Sequence, residues 1–301
     1  MSILSLQNVV KRYHNHVAVN NTSFEVPKGS IFGLLGPNGA GKTSLIRIIT
    51  TITGADSGTI LLDGEPLNLD HPKDIGYMPE ERGLYKKMKV GEQLLYLAQL
   101  KGMSKADAKG QLKYWLEKFD IVDWWDKKIE ELSKGMQQKI QFIATVVHDP
   151  KLLILDEPFS GLDPINTNLI KDEIYELNQK GKSIIFSTHR MEQVEEICEE
   201  IILINKGNKI LQGKVADIKE SHKDNVFELQ FDGNLPSGLH NGTFDIIEDS
   251  DDRLLIKIHA GHNSNQLLKS IIDSGIHIRS YREVLPTLNE IFIKHVGHSD
   301  E

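Results

Sequence analysis

The sequence lacks several features that would assign it to common classes of protein. It has one cysteine, Cys198, in 301 residues, so a disulfide framework is excluded and a reducing compartment fits. No segment approaches the roughly 18 uncharged apolar residues that cross a bilayer, and the first residues have no signal-peptide core. Basic residues are outnumbered, 35 to 43, which argues against non-specific nucleic-acid binding. If the protein acts at a membrane, we therefore expect another chain to provide the membrane-spanning part.

The net charge of −8 is unevenly distributed along the chain. Residues 222–301 have a formal charge of −6 and contain 7 of the 12 histidines, whereas residues 1–221 have a charge of only −2. Such a change of composition is typical of a domain boundary. We predict a first domain over residues 1–221 and a second over residues 222–301.

The strongest local motif is a glycine-rich loop that matches G-x-x-x-x-G-K-S/T in full. It consists of Gly36, Pro37, Asn38, Gly39, Ala40, Gly41, Lys42 and Thr43, and Ser44 follows it. The apolar run 31–35 predicts a buried strand before the loop, and a helix is expected after it. Glycines let backbone N–H groups face phosphate oxygens, while Lys42 would reach the β and γ phosphates and Thr43 would ligate Mg²⁺. A glycine-rich turn with a chance lysine is the alternative, and the strand–loop–helix setting disfavours it.

A second apolar run, residues 152–155, ends in the two acids Asp156 and Glu157. Such a run is typical of a buried strand in a parallel sheet. At its carboxyl end, Asp156 would hold Mg²⁺, and Glu157 would orient or deprotonate an attacking water. The alternative is a strand followed by a solvated acidic turn, which is disfavoured by the complete phosphate loop upstream.

Two further segments define a family. Residues 132–136 read Leu-Ser-Lys-Gly-Met before the acidic pair, and residues 160–163 read Ser-Gly-Leu-Asp after it. With the phosphate loop, this order resembles the ATP-binding subunit of a bacterial ABC transporter over about residues 3–216. The resemblance implies an α/β fold, a P-loop NTPase ABC ATPase domain with a helical subdomain at about residues 88–148.

The resemblance also implies roles for individual residues. The signature residues Ser133, Lys134, Gly135 and Met136 would face the ATP of a partner subunit, and a helix is expected from Ser133 to His148. Asp163 would lie at the dimer interface, and His189 would contact the γ-phosphate and help to hold the attacking water. Tyr13 would stack on adenine, although a strand aromatic that packs on the core is the alternative.

The sequence departs from the family pattern at three positions. Glu80 stands where the family usually has a glutamine, so it is a metal ligand, a water-orienting group, or a displaced side chain. In the signature, Lys134 replaces a glycine and Met136 replaces a glutamine. This variant resembles the drug- and sodium-exporting branch of the family more than the sugar importers.

Residues 222–301 predict a small α+β domain. Apolar residues alternate with polar ones at 227–231 and at 254–258, as in half-buried strands, and Ile276 and Ile278 suggest another strand. Residues 267–272 have helical spacing, and Thr287 with Glu290 predicts the capped start of a last helix. The domain resembles the C-terminal extension of some exporter ATPases.

The resemblance therefore predicts an ATPase that hydrolyses ATP with Mg²⁺ and drives export through separate integral membrane permease subunits. Its subunits would form a homodimer or a heterodimer, bind no nucleic acid, and lie on the cytoplasmic face of the cell membrane. A soluble ABC ATPase that acts on ribosomes or DNA is the alternative. One phosphate loop and the lack of sustained heptads argue against it.

Overall fold

The structure, a computed structural model, describes residues 1–81, 83–233, 243–273 and 275–297. The chain divides into two units, Met1–Val215 and Ala216–Glu301. Among the described residues, no helix is both long enough and apolar enough to cross a membrane.

Strands and helices alternate through most of the first unit. Its strands are β1 (Ser2–Tyr13), β2 (His16–Pro27), β3 (Ile31–Leu35), β4 (Ser57–Leu62), β5 (Glu65–Pro66), β6 (Ile75–Met78), β7 (Leu152–Asp156), β8 (Ser183–Thr188), β9 (Glu200–Asn205) and β10 (Asn208–Lys214). Its helices are α1 (Lys42–Ile49), α2 (Val90–Leu100), α3 (Lys105–Lys118), α4 (Lys134–Val146), α5 (Pro164–Gln179) and α6 (Met191–Ile197), and α7 (Val215–Ser221) follows.

Six strands form the central sheet of the first unit, in the order β10-β9-β3-β8-β7-β6. All neighbours are parallel except β10, which returns along β9 through a hairpin. Every residue of β3, β7 and β8 is buried, and their sequences are mostly apolar, with polar residues only at the ends of β7 and β8. The hairpin turns at Lys206 and Gly207, both with positive φ, as a type I′ turn requires.

A second, antiparallel sheet joins β2, β1, β4 and β5 in that order. Phe24 of β2 and Phe32 of β3 stack with ring centroids 5.7 Å apart, so the two sheets share one apolar core. Leu45 and Ile46 of α1 lie in the same core, fully buried. This packing fixes the helix that follows the phosphate loop against both sheets.

The segment between β6 and β7 is helical, as the sequence predicts. Ser104 caps α3 by accepting a hydrogen bond from the Asp107 N–H at 3.1 Å. Trp115 of α3 and Phe119, which follows this helix, pack on Phe142 of α4, with ring centroids 6.3 and 6.0 Å away. Helix α4 begins one residue after the predicted start and ends two residues before His148.

The second unit is a four-stranded antiparallel sheet with helices. Its further elements are β11 (Val226–Asp232), β12 (Phe244–Ser250), β13 (Arg253–Ile258), α8 (Ser264–Asp273), β14 (His277–Val284) and α9 (Leu288–Gly297). The strand order is β12-β13-β11-β14. Leu267 and Ile271 of α8 are buried on one face of this sheet. Thr287 and Glu290 form the predicted cap of α9, because each accepts a hydrogen bond from the backbone N–H of the other. The prediction of an α/β fold with a second α+β unit is confirmed.

Candidate nucleotide-binding site

The candidate site lies where four parallel strands end. The carboxyl ends of β3, β8, β7 and β6 meet at one edge of the sheet because the strands are adjacent and parallel. The residues that follow these strands include Lys42, His189, Glu157 and Glu80. The topology therefore brings together groups that lie up to 147 residues apart in the sequence, at the edge where open α/β sheets bind ligands.

Two glycines of the phosphate loop are required by close backbone packing. A Cβ atom at Gly36 would lie 2.2 Å from the Ile204 carbonyl oxygen, and one at Gly41 would lie 2.2 Å from that of Ala18. Both glycines also have positive φ, at 153° and 111°. A side chain at either position would therefore push the loop away from the sheets.

Helix α1 begins directly after Gly41. Among the described residues, no side chain caps this helix, and its first turn contains no acidic residue. The first N–H groups of an α-helix have no partner within the helix, and the helix dipole favours negative charge there. This helix start is therefore suited to an anion.

The side chain of Lys42 folds back over the loop. Its Nζ atom donates to the carbonyl oxygens of Gly36 at 2.6 Å and Pro37 at 3.2 Å. The lysine is 8% exposed, and this burial lowers its pKa, although Asp156, Glu157 and Glu80 act in the opposite direction. The phosphate loop thus holds a cation that protein charges only partly compensate.

Asp156 ends β7 as a buried carboxylate. It is 4% exposed, and its Oδ1 atom accepts a hydrogen bond from Ser187 Oγ at 2.7 Å. Burial raises the pKa of Asp156, while Ser187 and Lys42 lower it. A carboxylate kept in such an environment is a candidate metal ligand, since a cation would compensate its charge.

Glu157 is held in an unusual backbone conformation. Its φ of +50° lies in the left-handed region, which a residue other than glycine adopts only at an energetic cost of the order of 1 kcal/mol. Its carboxylate accepts from Thr188 Oγ1 at 2.9 Å and from the His189 N–H at 2.8 Å. His189 Nδ1 lies 2.6 Å from the same Oε1 atom. The last residue of β8 and the residue that follows it therefore determine the orientation of this carboxylate.

Most of the predicted site residues line one cavity of about 230 Å³. The predicted residues that line it are Tyr13, Asn38, Gly39, Ala40, Gly41, Lys42, Thr43, Ser44, Glu80, Asp156 and Glu157, and His16 and Ala18 complete it. A neighbouring cleft of about 720 Å³ shares Tyr13, Thr43, Glu80 and Asp156. A separate groove of about 450 Å³ beside β4 has no titratable side chain in its lining, so it offers no comparable chemistry.

Tyr13 and Glu80 lie at the open side of this region. Tyr13 ends β1 and is 39% exposed, with Lys11 Nζ 5.5 Å from the centre of its ring. Glu80 is exposed and lies near enough to Lys42 and Asp156 to act on the pKa values of both. The accessible ring of Tyr13, at the end of β1, and the accessible carboxylate of Glu80, after β6, thus both line the cavity.

The signature residues and Asp163 do not line the cavity. Ser133 and Lys134 are exposed at the start of α4, where Ser133 Oγ accepts from the Met136 N–H at 3.2 Å. A Cβ atom at Gly135 would lie 3.7 Å from Leu162, an ordinary contact. Asp163 caps α5 by accepting from the Asn166 N–H at 2.9 Å, which lowers its pKa.

Sequence reasoning missed the polar residues that hold the two acids. Ser187 and Thr188 are fully buried at the end of β8 and bond to Asp156 and Glu157. Two adjacent hydroxyl residues at the end of an otherwise apolar strand are the signal that could have identified them. No local pattern in the sequence indicates a role for Gln138 or Gln141 of α4.

The fold and the site define a P-loop nucleotide-binding protein. The family model described as ABC transporter matches residues 19–160, and a model described as ATP-binding protein DrrA1-3-like, C-terminal domain, matches residues 213–296. The Uncharacterized ABC transporter ATP-binding protein YhaQ of Bacillus subtilis (strain 168) is 44% identical over 98% of this chain and 99% of its own length. The chain therefore belongs to the ATP-binding proteins of ABC transporters.

Two other similarities extend this assignment. Nod factor export ATP-binding protein I of Cupriavidus metallidurans is 37% identical over 73% of this chain and 74% of its own length. A solved structure of the ATP binding subunit of an ABC transporter is 28% identical, with a TM-score of 0.68 over 73% of this chain and 93% of that one. One of these proteins is named for export and the other as a transporter subunit, so the alternative of an ATPase that acts on ribosomes or DNA is not favoured.

Proposed function

We propose that this chain hydrolyses ATP to ADP and phosphate and couples that reaction to transport through separate integral membrane permease subunits. The observation that carries the proposal is the placement of Glu157. Its carboxylate lines the same cavity as Lys42 and the start of α1. The backbone of Glu157 adopts a strained left-handed conformation at this position. Strain of this kind is typical of functional sites.

The phosphate loop supplies binding and charge neutralisation. Backbone N–H groups at the start of α1 would contact phosphate oxygens, and Lys42 would exchange its bonds with Gly36 and Pro37 for the β and γ phosphates. Hydrolysis of ATP depends mainly on positioning and on such neutralisation.

Glu157 would orient or deprotonate the attacking water. Each carboxylate oxygen has two lone pairs, and Oε2 accepts only from Thr188 among the bonds of the described residues, so it can accept a further bond from water. His189, which contacts Oε1, would also contact the γ-phosphate while it holds the carboxylate of Glu157 in position. These two residues are the proposed catalytic groups.

Three oxygen-bearing side chains in the cavity fit Mg²⁺, namely Thr43, Asp156 and Glu80. Among the described residues, no three His, Cys, Asp or Glu side chains could hold a metal by themselves. Mg²⁺ bound with a nucleotide needs only one or two protein ligands, because phosphates and water complete its octahedron. The ion would neutralise charge on the phosphates, and Asp156 and Thr43 are its proposed ligands.

The signature residues support a dimer as the working unit. Ser133, Lys134, Gly135 and Met136 lie outside the cavity of their own chain, and Gly135 has room for a side chain within this chain. A requirement for glycine would then come from a molecule outside the chain. We infer that these residues contact the ATP of a partner subunit, with Asp163 at the interface of a homodimer or a heterodimer.

We further propose export as the direction of transport and the cytoplasmic face of the membrane as the location. The name of the Nod factor export relative supports export. We assign the ATPase to residues 1–221 and an accessory domain to residues 222–301.

Purification of the full chain tests the proposal. We expect phosphate release from ATP that needs Mg²⁺ and stops on addition of EDTA, and we expect the chain to co-purify with an integral membrane protein. Hydrolysis that requires ribosomes or DNA, or the absence of any Mg²⁺-dependent hydrolysis with and without the membrane partner, would contradict it.

A further inference from the structure

Helix α4 connects the signature segment to the loops that carry the two acidic residues after β6 and β7. Gln138 Nε2 donates to the Pro158 carbonyl oxygen at 2.9 Å, and Pro158 directly follows Glu157. One helical turn later, Gln141 Nε2 donates to the Pro79 carbonyl oxygen at 2.7 Å, and Pro79 directly precedes Glu80. Two amides on one helix thus hold the backbone beside both carboxylates.

The contact between Gln141 and Pro79 fixes the orientation of the Gln141 amide. Because the atom of Pro79 in this contact is a carbonyl oxygen, which only accepts hydrogen bonds, the amide nitrogen of Gln141 must face it. The side chain is 4% exposed, and its Oε1 atom has no hydrogen-bond partner among the described residues. A buried amide with an unpaired acceptor carries a free-energy cost, which indicates that the bond to Pro79 is what this residue provides.

We propose that Gln141 is a positioning residue for Glu80 and links it to the signature end of α4. The proposal rests on the proposed hydrolysis of ATP. Ser133 caps the same helix whose second turn holds Pro79 and Pro158. A shift of α4 when Ser133 and Gly135 meet the ATP of a partner would therefore move Glu80 and Glu157 of this chain. The two ATP sites of a dimer would be coupled through a single rigid helix.

The Gln141→Leu variant tests the link, because leucine keeps the volume and removes the donor. We expect kcat for ATP hydrolysis to fall about fivefold, the effect of one hydrogen bond, while KM for ATP stays unchanged. We also expect faster amide hydrogen exchange at Glu80 and Glu81. In a Glu80→Ala background, Gln141→Leu should cause no further loss of kcat, because its effect passes through Glu80.

A second variant covers the case in which leucine prevents folding. Gln141→Glu keeps the shape, and an ionised carboxylate cannot donate to Pro79, whereas a protonated one can. We expect kcat relative to the parent to rise as the pH falls from 8 to 6. A purely structural role would lower the melting temperature without this pH profile.

Asn178→Ala is the matched control. Asn178 Nδ2 donates to the Gly29 carbonyl oxygen at 2.8 Å and braces a loop at the opposite end of the sheet. This variant should keep the kcat of the parent. Equal losses from Gln141→Leu in both backgrounds, or an unchanged kcat with unchanged exchange, would overturn the link. A parent that hydrolyses no ATP would instead contradict the proposed function, and the exchange measurement would still test the contact with Pro79.

Discussion

The Nδ1 atom of His189 lies 2.6 Å from Oε1 of Glu157, and the His189 backbone N–H donates to the same oxygen at 2.8 Å. Two atoms of the residue that follows β8 thus contact one oxygen of the residue that follows the neighbouring strand β7. The other oxygen of Glu157 is bound by Thr188. The orientation of this carboxylate is therefore set by the pairing of two parallel strands, before any nucleotide binds.

Replacement of His189 by alanine should slow hydrolysis without loss of ATP binding. The variant removes the ring contact to Glu157 and the group proposed to meet the γ-phosphate, so we expect kcat to fall about 100-fold. The affinity for ATP, measured by fluorescence titration, should change less than about threefold, since Lys42 and the loop remain. His277→Ala, which removes an exposed ring beside Asp232, is the control and should keep kcat. A His189→Ala variant that turns over at the parent rate would remove His189 from the mechanism.

Asp156→Asn should stabilise the protein while it abolishes Mg²⁺-dependent hydrolysis. Burial raises the pKa of Asp156 above its unfolded value, so its contribution to stability is present at low pH and is lost as the pH rises through the raised pKa. At pH 7.5 the buried charge is unfavourable, whereas asparagine still accepts the bond from Ser187. We expect a melting temperature higher by about 2–4 °C, which corresponds to roughly 1 kcal/mol.

The control for this variant is Asp149→Asn, in the loop that precedes β7. Asp149 is an exposed acid paired with Lys182, so its replacement should change stability by less than about 0.5 kcal/mol. A melting temperature of Asp156→Asn below that of the parent at pH 7.5 would contradict the prediction, because it would show that the buried charge of Asp156 does not destabilise the protein.

An ion-pair network ties α3 to α5. Lys118 Nζ lies 2.7 Å from Glu173 and 2.6 Å from Glu176, and Glu173 is nearly fully buried. Lys118→Met would leave Glu173 without its partner, which should cost about 2–3 kcal/mol of unfolding free energy at pH 7. Hydrogen bonds from Lys118 and Lys180 lower the pKa of Glu176 to about 2. The stabilisation that ionised Glu176 contributes is therefore complete above about pH 4.5 and is lost as the pH falls towards 2.

Urea unfolding at pH 7 and pH 3.5 measures this effect. The deficit of Lys118→Met relative to the parent should be larger at pH 7 than at pH 3.5. Lys113→Met, on the same helix, breaks an exposed pair with Glu117 at 3.8 Å and should cost less than about 0.5 kcal/mol. A deficit that is independent of pH would show that lost packing, not charge pairing, explains the change.

Much of the fold could be predicted because local signals agree with tertiary structure. The apolar runs at β3 and β7 and the cap at Thr287 all have causes within a few residues of sequence. Strand β12 was not predicted, because it is an acidic strand at the edge of its sheet. Its register with β13 also shifts between Ile246 and Glu248, which interrupts the alternation of apolar and polar residues. The antiparallel pairing of β1, β2 and β4 depends on contacts that no local pattern encodes.

The candidate site shows the same division. The phosphate loop and Asp156 with Glu157 follow from short motifs with their own strand and helix signals. The left-handed backbone of Glu157, its bonds to Thr188 and His189, and the reach of Gln138 and Gln141 depend on which strands are adjacent. No spacing in the sequence states that adjacency, so these contacts become visible only in the fold.

The Glu157→Gln variant tests the central claim most directly. Glutamine keeps the size of the side chain and an oxygen for the His189 N–H, but it cannot take a proton from water. We predict phosphate release at least about 100-fold slower than in the parent, ATP affinity within about twofold, and a dimer that persists in size-exclusion chromatography with ATP and Mg²⁺. Hydrolysis by this variant at the rate of the parent would contradict the assignment of Glu157 as the catalytic base.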